Sequence, residues 1–314
     1  MDSLDKLADY TQLTILNVSY NKITTLEDLP NFKWLAHLDV SGNPIQNWDK
    51  LKNIGIEFNI FEENEDDEYE EMREGRSIWL EANGCNIEDI SIFNNLKLNT
   101  LYLKNNNIKD VSKFENENIY NINLSNNSGI KGLQSLNKMH DVILDNCDIS
   151  DIEELLKMES VENLSLKNNK LTDITKLSKL PNIITLSLEG NTNISGTLSS
   201  ESLSSLNLKK CNLDNNLDIS KIWNLFYLNI SENQGITDIS KIVNQSISDH
   251  RVTIEITEID FDELERIIHK TDKGYLRISR INVNCEIVDK NQIDLSKNNS
   301  KIKIWFWMFF GRSI

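Results

Sequence analysis

The chain has 314 residues, and its 49 acidic side chains outnumber the 33 basic ones, which gives a formal net charge of −16. That length exceeds what one compact hydrophobic core usually serves, so it favours several domains or an architecture built from repeats. The acidity disfavours nucleic-acid binding, and the longest unbroken apolar run, residues 304–310, is too short for a transmembrane helix.

A leucine pattern recurs from the start of the chain. The template L-x-x-L-x-L-x-x-N-x-I is met at Leu13, Leu16, Val18, Asn21 and Ile23. Its asparagine position returns every 20 to 22 residues, and the residues that fill it are Asn21, Asn43, Glu63, Cys85, Asn106, Asn127, Cys147, Asn169, Asn191, Cys211 and Asn233. Such constant spacing indicates a protein built from stacked repeats.

One interval is twice as long as the others. Asn43 and Cys85 are 42 residues apart, which predicts a degenerate, acidic repeat near residues 54–76. In that repeat, residues 57–61 supply the strand and Glu63 occupies the asparagine position. Residues 62–71 are almost entirely acidic and are expected to project as a loop.

The residue pattern within a repeat predicts its local structure. Apolar template positions 4 and 6 alternate with polar ones, which is the period of a strand with one buried face. Stacked repeats then build a core that grows in one direction. The asparagine is expected to turn inward and satisfy backbone groups that lack a partner, and cysteine can replace it because a thiol tolerates burial.

The segment after the asparagine position reads N-x-I-x-D-I-x-x-L, as at residues 87–90, 108–111, 149–152, 171–174 and 236–239. This pattern resembles the leucine-rich repeat family, in its short class of about 21–22 residues that bacterial internalins and a phosphatase-1 regulatory subunit typify. The resemblance implies an α/β fold, namely a solenoid with a concave parallel sheet and short convex helices or 3-10 turns. We expect residues 1–258 to form this solenoid, with about 11–12 repeats.

Beyond residue 258 the strict repeat ends, and residues 259–314 are predicted to form a C-terminal cap. Residues 260–270 have apolar side chains at helical spacing, whereas residues 280–287 and 301–310 alternate like strands. In the last strand Trp305, Trp307 and Phe309 point away from the cap. This row folds back under the cap, forms an edge that pairs with a second copy or a partner subunit, or touches a membrane, which seven apolar residues would hold only weakly.

No catalytic or metal-binding motif stands out in the sequence. The histidines lack ligand spacing, and no glycine-rich phosphate loop or G-x-S-x-G is present. Cys85, Cys147 and Cys211 lie three repeats apart, about 14 Å or more, too far for a disulfide or a shared zinc ion. We expect no enzyme activity, no cofactor and no metal, and a cytoplasmic setting unless a leader that directs secretion or surface display has been removed.

The exposed face of the predicted sheet is then the candidate working surface. Aromatic and acidic side chains at the outward template positions gather in the N-terminal half, with a smaller spot further on, and the ten predicted partner-binding residues are His37, Asp39, Glu57, Phe61, Trp79, Glu81, Tyr102, Asp141, Ile143 and Asp145. Aromatic side chains often anchor interfaces, and acids around them favour a basic partner. An ordinary solvated sheet is the alternative interpretation.

The leading hypothesis is therefore a non-catalytic module that binds a protein partner on the concave face. Two other classes stay open. One is a surface adhesin that resembles internalins, which an upstream signal peptide would favour. The other is an effector or enzyme subunit whose activity lies in residues 259–314, although a segment of that size contains no recognisable acid–base pair.

Overall fold

The protein is described by a computed structural model that covers residues 1–51 apart from 2, 11, 31, 33, 49 and 50, together with residues 78–213, 217–233, 251–259 and 275–283. The chain divides into two compact units. The first unit comprises Met1–Asp148 with Lys157–Val161, and the second comprises Ile149–Leu156 with Glu162–Ile314.

The first unit is a stack of short parallel strands. Its strands are β1 (Ile15–Asn17), β2 (His37–Asp39), β3 (Trp79–Glu81), β4 (Thr100–Tyr102), β5 (Asn121–Asn123) and β6 (Asp141–Ile143). Each pairs in parallel with the next, and the central residue of every strand is a buried aliphatic side chain. The 3-10 helices of this unit are Asp5–Leu7, Ile90–Phe93 and Leu133–Leu136.

The second unit repeats this design. Its strands are β7 (Asn163–Ser165), β8 (Thr185–Ser187), β9 (Gly196–Ser200), β10 (Ser205–Asn207), β11 (Leu217–Ile222), β12 (Tyr227–Asn229), β13 (Arg251–Ile259) and β14 (Tyr275–Val283). β7, β8, β10, β12, β13 and β14 pair in that order as a parallel sheet, and β9 pairs with β11 in a separate two-stranded ladder. Further 3-10 helices are Leu155–Lys157 and Thr175–Lys179.

The pairing of β2 with β3 corrects one prediction. His37 lies opposite Trp79, and the amide nitrogen of Val40 donates to the carbonyl oxygen of Glu81 at 2.9 Å. Residues 57–61 therefore do not supply a strand between β2 and β3, and they lie outside the described residues. A gap of two periods cannot distinguish a weak repeat from an insertion. Residues 62–71 contain no leucine, isoleucine or valine, which favours the insertion.

The predicted burial of the asparagine positions is confirmed for Asn106, Asn127, Asn169 and Asn191. The Asn127 amide nitrogen donates to the carbonyl oxygens of Leu103 and Leu124, at 3.0 and 2.8 Å, and its Oδ1 accepts from the backbone N–H of Ile108 at 3.0 Å. One side chain thus satisfies backbone groups of its own repeat and of the preceding one. We call the buried set Asn43, Asn106, Asn127, Asn169, Asn191 and Asn233 the asparagine ladder.

At Cys147 and Cys211, two of the three cysteines in the asparagine position, the main chain compensates. The thiols of Cys147 and Cys211 donate to the carbonyl oxygens of Leu124 and Leu188, at 3.3 and 3.1 Å, but a thiol offers only a weak acceptor. The preceding repeat contains one extra residue after its asparagine, either Gly129 or Asn193, with φ of +75° and +63°. The N–H of each extra residue donates to the cysteine carbonyl oxygen, at 2.9 and 2.8 Å.

Candidate functional site on the exposed face of the sheet

The strands place their first and third residues on the side of the sheet opposite the buried leucines. We call this side the first face in β1–β6 and the second face in β7, β8, β10 and β12. On the first face one row of residues in register is His37, Trp79, Thr100, Asn121 and Asp141, and the next row is Asp39, Glu81, Tyr102, Asn123 and Ile143. The register alone thus brings most of the predicted site residues onto neighbouring strands.

Three rings form a connected group on β2, β3 and β4. The imidazole of His37 meets the Trp79 indole edge-on, with ring centroids 5.7 Å apart, and the Trp79 and Tyr102 rings lie 6.4 Å apart at an angle of 46°. Trp79 is 40% exposed even with these contacts. Since the strands fix all three Cα positions, the exposed indole is held without needing a partner to order it.

The carboxylates beside these rings are oriented by side-chain and backbone donors other than lysine or arginine. Glu81 accepts from His37 Nε2 at 3.0 Å and from the Asn83 amide at 3.2 Å. Asp39 accepts from the Asn17 amide at 2.8 Å and from the backbone N–H of Ser41 at 2.9 Å. Both carboxylates are thereby positioned while their negative charge stays at the surface.

The acidic side chains of the first face affect the pKa of Tyr102. Partial burial, the charge of Glu81 and the charge of Asp141 together raise the pKa of the Tyr102 phenol above its ordinary value. Both charges act in the same direction because an anionic phenolate next to a carboxylate is disfavoured. Asp141 lies two strands beyond Tyr102, where the Asn121 amide, in its better-bonded orientation, donates to Asp141 Oδ2 at 2.9 Å.

The structure also shows residues that the sequence reasoning did not single out. Thr100 occupies an outward position but is only 1% exposed, and it lies in register between Trp79 and Asn121. Asn83 connects two repeats, because its Oδ1 accepts from the backbone N–H of Lys104 at 2.8 Å. Lys104 lies two residues after Tyr102 and places a basic side chain near the acidic side chains of this face. Strand register, read from the template, is the signal that could have found Thr100.

The remaining predicted site residues lie at β6 or outside the described residues. Ile143 and Asp145 are half-buried in and just after β6. Glu57 and Phe61 lie outside the described residues. So do Trp305, Trp307 and Phe309, and their role as an oligomer edge stays a prediction.

The second face has a different character. Its outward residues are mostly serine, asparagine and threonine, and its charges are paired within the chain. Lys167 lies 3.5 Å from Glu189, and Lys209 lies 3.0 Å from Glu232. Glu189 also accepts from the amide of Asn207 at 3.2 Å. Acids of the second face therefore pair with lysines, whereas Glu81 on the first face pairs with a histidine, His37.

The described residues also bear on other kinds of site. Within them, no three histidine, cysteine, aspartate or glutamate side chains come together in a way that could hold a metal ion. In the same part of the chain, no helix is long and apolar enough to cross a membrane. Burial raises the pKa of Cys147 to about 11 and that of Cys211 to about 12, so neither thiol is activated as a nucleophile.

Comparison with known proteins finds the same repeat. The family described as Leucine Rich repeats (2 copies) matches residues 11–53. An internalin (inlF) from Listeria monocytogenes superposes with a TM-score of 0.57 at 18% identity, covering 98% of this chain and 89% of the internalin. A leucine-rich repeat protein of Leptospira interrogans gives a TM-score of 0.54 at 17% identity, with 97% and 80% covered. Curated protein sequences give no significant match. These likenesses establish the fold, a leucine-rich-repeat solenoid.

Proposed function

We propose that this chain, whose fold is a leucine-rich-repeat solenoid, acts as a non-catalytic interaction module that binds a protein partner on the first face. The observation that carries this proposal is the group of three rings around Trp79, exposed and held by β2–β4. Large aromatic side chains dominate the free energy of binding at protein interfaces. Trp79 therefore supplies the anchor, and the surrounding strands supply a preorganised surface.

The charges support a partner of basic character. Asp39 and Glu81 lie on adjacent strands, where Asp39 accepts from the Asn17 amide and Glu81 accepts from the Asn83 amide and pairs with His37 at 3.0 Å. The whole chain carries a net charge of −16, so a basic partner is attracted over a long range and docks faster at low salt. Asp141 and Asp145 extend this surface toward β6.

The test is an affinity measurement with matched variants of the full chain. The partner is captured from an extract of the source organism on immobilised protein, and its dissociation constant is then measured for wild type, Trp79→Ala and Tyr227→Ala. Tyr227 is the aromatic residue at the corresponding outward position of β12. Trp79→Ala is expected to weaken binding by about 2 kcal/mol, as at an interface hot spot, and Tyr227→Ala to leave it unchanged.

Circular dichroism melting provides the folding control for both variants. Equal affinity of the folded Trp79→Ala variant and wild type would contradict binding on the first face. A loss confined to Tyr227→Ala would move the binding surface to the second face.

A further inference from the structure

The centre of the first face combines large rings with small polar side chains. Trp79 and Tyr102 lie on neighbouring strands with ring centroids 6.4 Å apart, and Thr100, in register with Trp79, is almost fully buried. Asn121 lies beside Thr100 on β5 and contacts its hydroxyl at 3.2 Å. We call the surface formed by Trp79, Tyr102 and Glu81 the aromatic–acidic surface.

Two carboxylates lie at different distances from these rings. Glu81 is two residues after Trp79 on β3 and opposite Tyr102 in the register, whereas Asp141 lies on β6, three strands from Trp79. The raised pKa of Tyr102 has Glu81 and Asp141 among its causes. A group that binds over the Trp79 ring thus meets an aromatic ring and the negative charge of Glu81 together.

We propose that the aromatic–acidic surface binds a lysine or arginine side chain of the bound protein. The proposal rests on the partner-binding function of the first face and specifies the group recognised there. A cation within about 6 Å of an aromatic ring centroid is attracted by the ring, and a carboxylate beside the ring adds a charge-assisted hydrogen bond. Glu81 has lone pairs left for that bond after its two contacts with His37 and Asn83.

An apolar side chain suits this surface less well. It would cover Trp79, but it would also remove water from Glu81 without replacing the lost hydrogen bonds. The aliphatic stem of lysine or arginine can cover the indole while its charged end contacts the Glu81 carboxylate. One basic side chain thus contacts both the ring and the charge.

The test uses small probes and the full chain labelled with ¹⁵N. N-acetyl-lysinamide and N-acetyl-argininamide are titrated against N-acetyl-norleucinamide, which keeps the four-carbon stem of lysine but has no charge. The readout is the indole N–H resonance of Trp79, assigned by its disappearance in Trp79→Phe. Both cationic probes are expected to shift this resonance along a saturable curve, with dissociation constants on the order of millimolar.

Two charge variants complete the test. Glu81→Gln is expected to weaken the cationic probes about fivefold, whereas Glu189→Gln, which removes the same charge from the second face, leaves them unchanged. An equal shift with norleucinamide, no shift with any probe, or equal weakening by both variants would each overturn the proposal. These outcomes differ from failure of the proposed function, which is read from partner affinity in Trp79→Ala and Tyr227→Ala.

Discussion

The first and second faces rest on the same kind of strand but treat their carboxylates in opposite ways. On the second face Glu189 and Glu232 each contact a lysine of the same chain. On the first face Glu81 and Asp39 contact asparagine, histidine or backbone N–H groups, and an exposed tryptophan lies beside them. On the second face the acidic side chains named here pair with lysines of the same chain. The first face keeps an exposed tryptophan next to its acidic side chains.

The comparison shows where the two units are free to differ. The buried leucines and the asparagine ladder are set by the need to stack repeats, and they recur in both units. Outward positions carry no such constraint, so their residues reflect what the surface meets. Serine, threonine and asparagine on the second face suit contact with solvent, whereas in our proposal the rings of the first face contact a partner.

The largest expected effect concerns the thiols, and it tests whether the two interiors are alike. In a Cys285→Ser background only Cys85, Cys147 and Cys211 remain. With pKa values of about 11 and 12 for Cys147 and Cys211, the thiolate fraction at pH 8 is low, and burial blocks the reagent as well. Alkylation by iodoacetamide should be at least about 100-fold slower in the native protein than in urea.

Mass spectrometry of the labelled peptides reports each cysteine separately. Rapid labelling of Cys147 but not of Cys211 in native buffer would show that the interiors of the two units differ in stability.

A smaller effect is expected from the asparagine ladder. Asn127 in the first unit and Asn191 in the second are both fully buried, and each makes two hydrogen bonds through its amide nitrogen to main-chain carbonyl oxygens of Leu residues. Asn127→Ala and Asn191→Ala should each lower the free energy of unfolding by about 1–3 kcal/mol, because several buried groups lose their partners. Urea denaturation gives the measurement.

Exposed Asn107→Ala serves as the control for the ladder variants and should change stability little. A loss at Asn127 without one at Asn191 would contradict the view that both units depend equally on the ladder.

The smallest expected effect tests the retained charge of the first face directly. The pKa of Tyr102 is raised, first by burial and then by Glu81 and Asp141. Glu81→Gln removes one of the negative charges, so the phenolate is less disfavoured and the pKa of Tyr102 should fall toward its ordinary value. The difference between ultraviolet titrations of Glu81→Gln and Glu81→Gln/Tyr102→Phe isolates this phenol.

Glu189→Gln is the matched change on the second face and should leave the Tyr102 titration where it is. If neither variant changes the pKa of Tyr102, the carboxylates of the first face are screened by solvent. The contrast between the two faces would then weaken.

Much of this arrangement was predictable from the repeat. The template fixes which side chain of each strand is buried, so the placement of Trp79, Glu81 and Tyr102 on one face follows from period-2 alternation. The burial of the ladder asparagines follows from the need to satisfy main-chain groups. Both are local rules, and a single repeat contains all the information that they need.

What could not be predicted depends on neighbours in space. The burial of Thr100 results from side chains on adjacent strands, and the donors that hold Glu81 come from β2 and from the residues after β3. The 42-residue interval was misread because spacing counts residues without showing which strands pair. The extra residue in the repeats before Cys147 and Cys211 was visible in the sequence, but its purpose appears only when the Gly129 N–H donates to the Cys147 carbonyl oxygen.

That last contact has a consequence for engineering of the chain. At Cys147 and Cys211 the longer turn of the preceding repeat supplies a main-chain donor for the cysteine carbonyl oxygen. Cys85 is buried next to the repeat of Asn43, which has no extra residue, and the extra residue after Asn233 precedes no cysteine, so a cysteine and a longer turn also occur separately. Anyone lengthening this scaffold can therefore copy the plain asparagine repeats singly, and should copy the turns at Gly129 and Asn193 together with the cysteines that they contact.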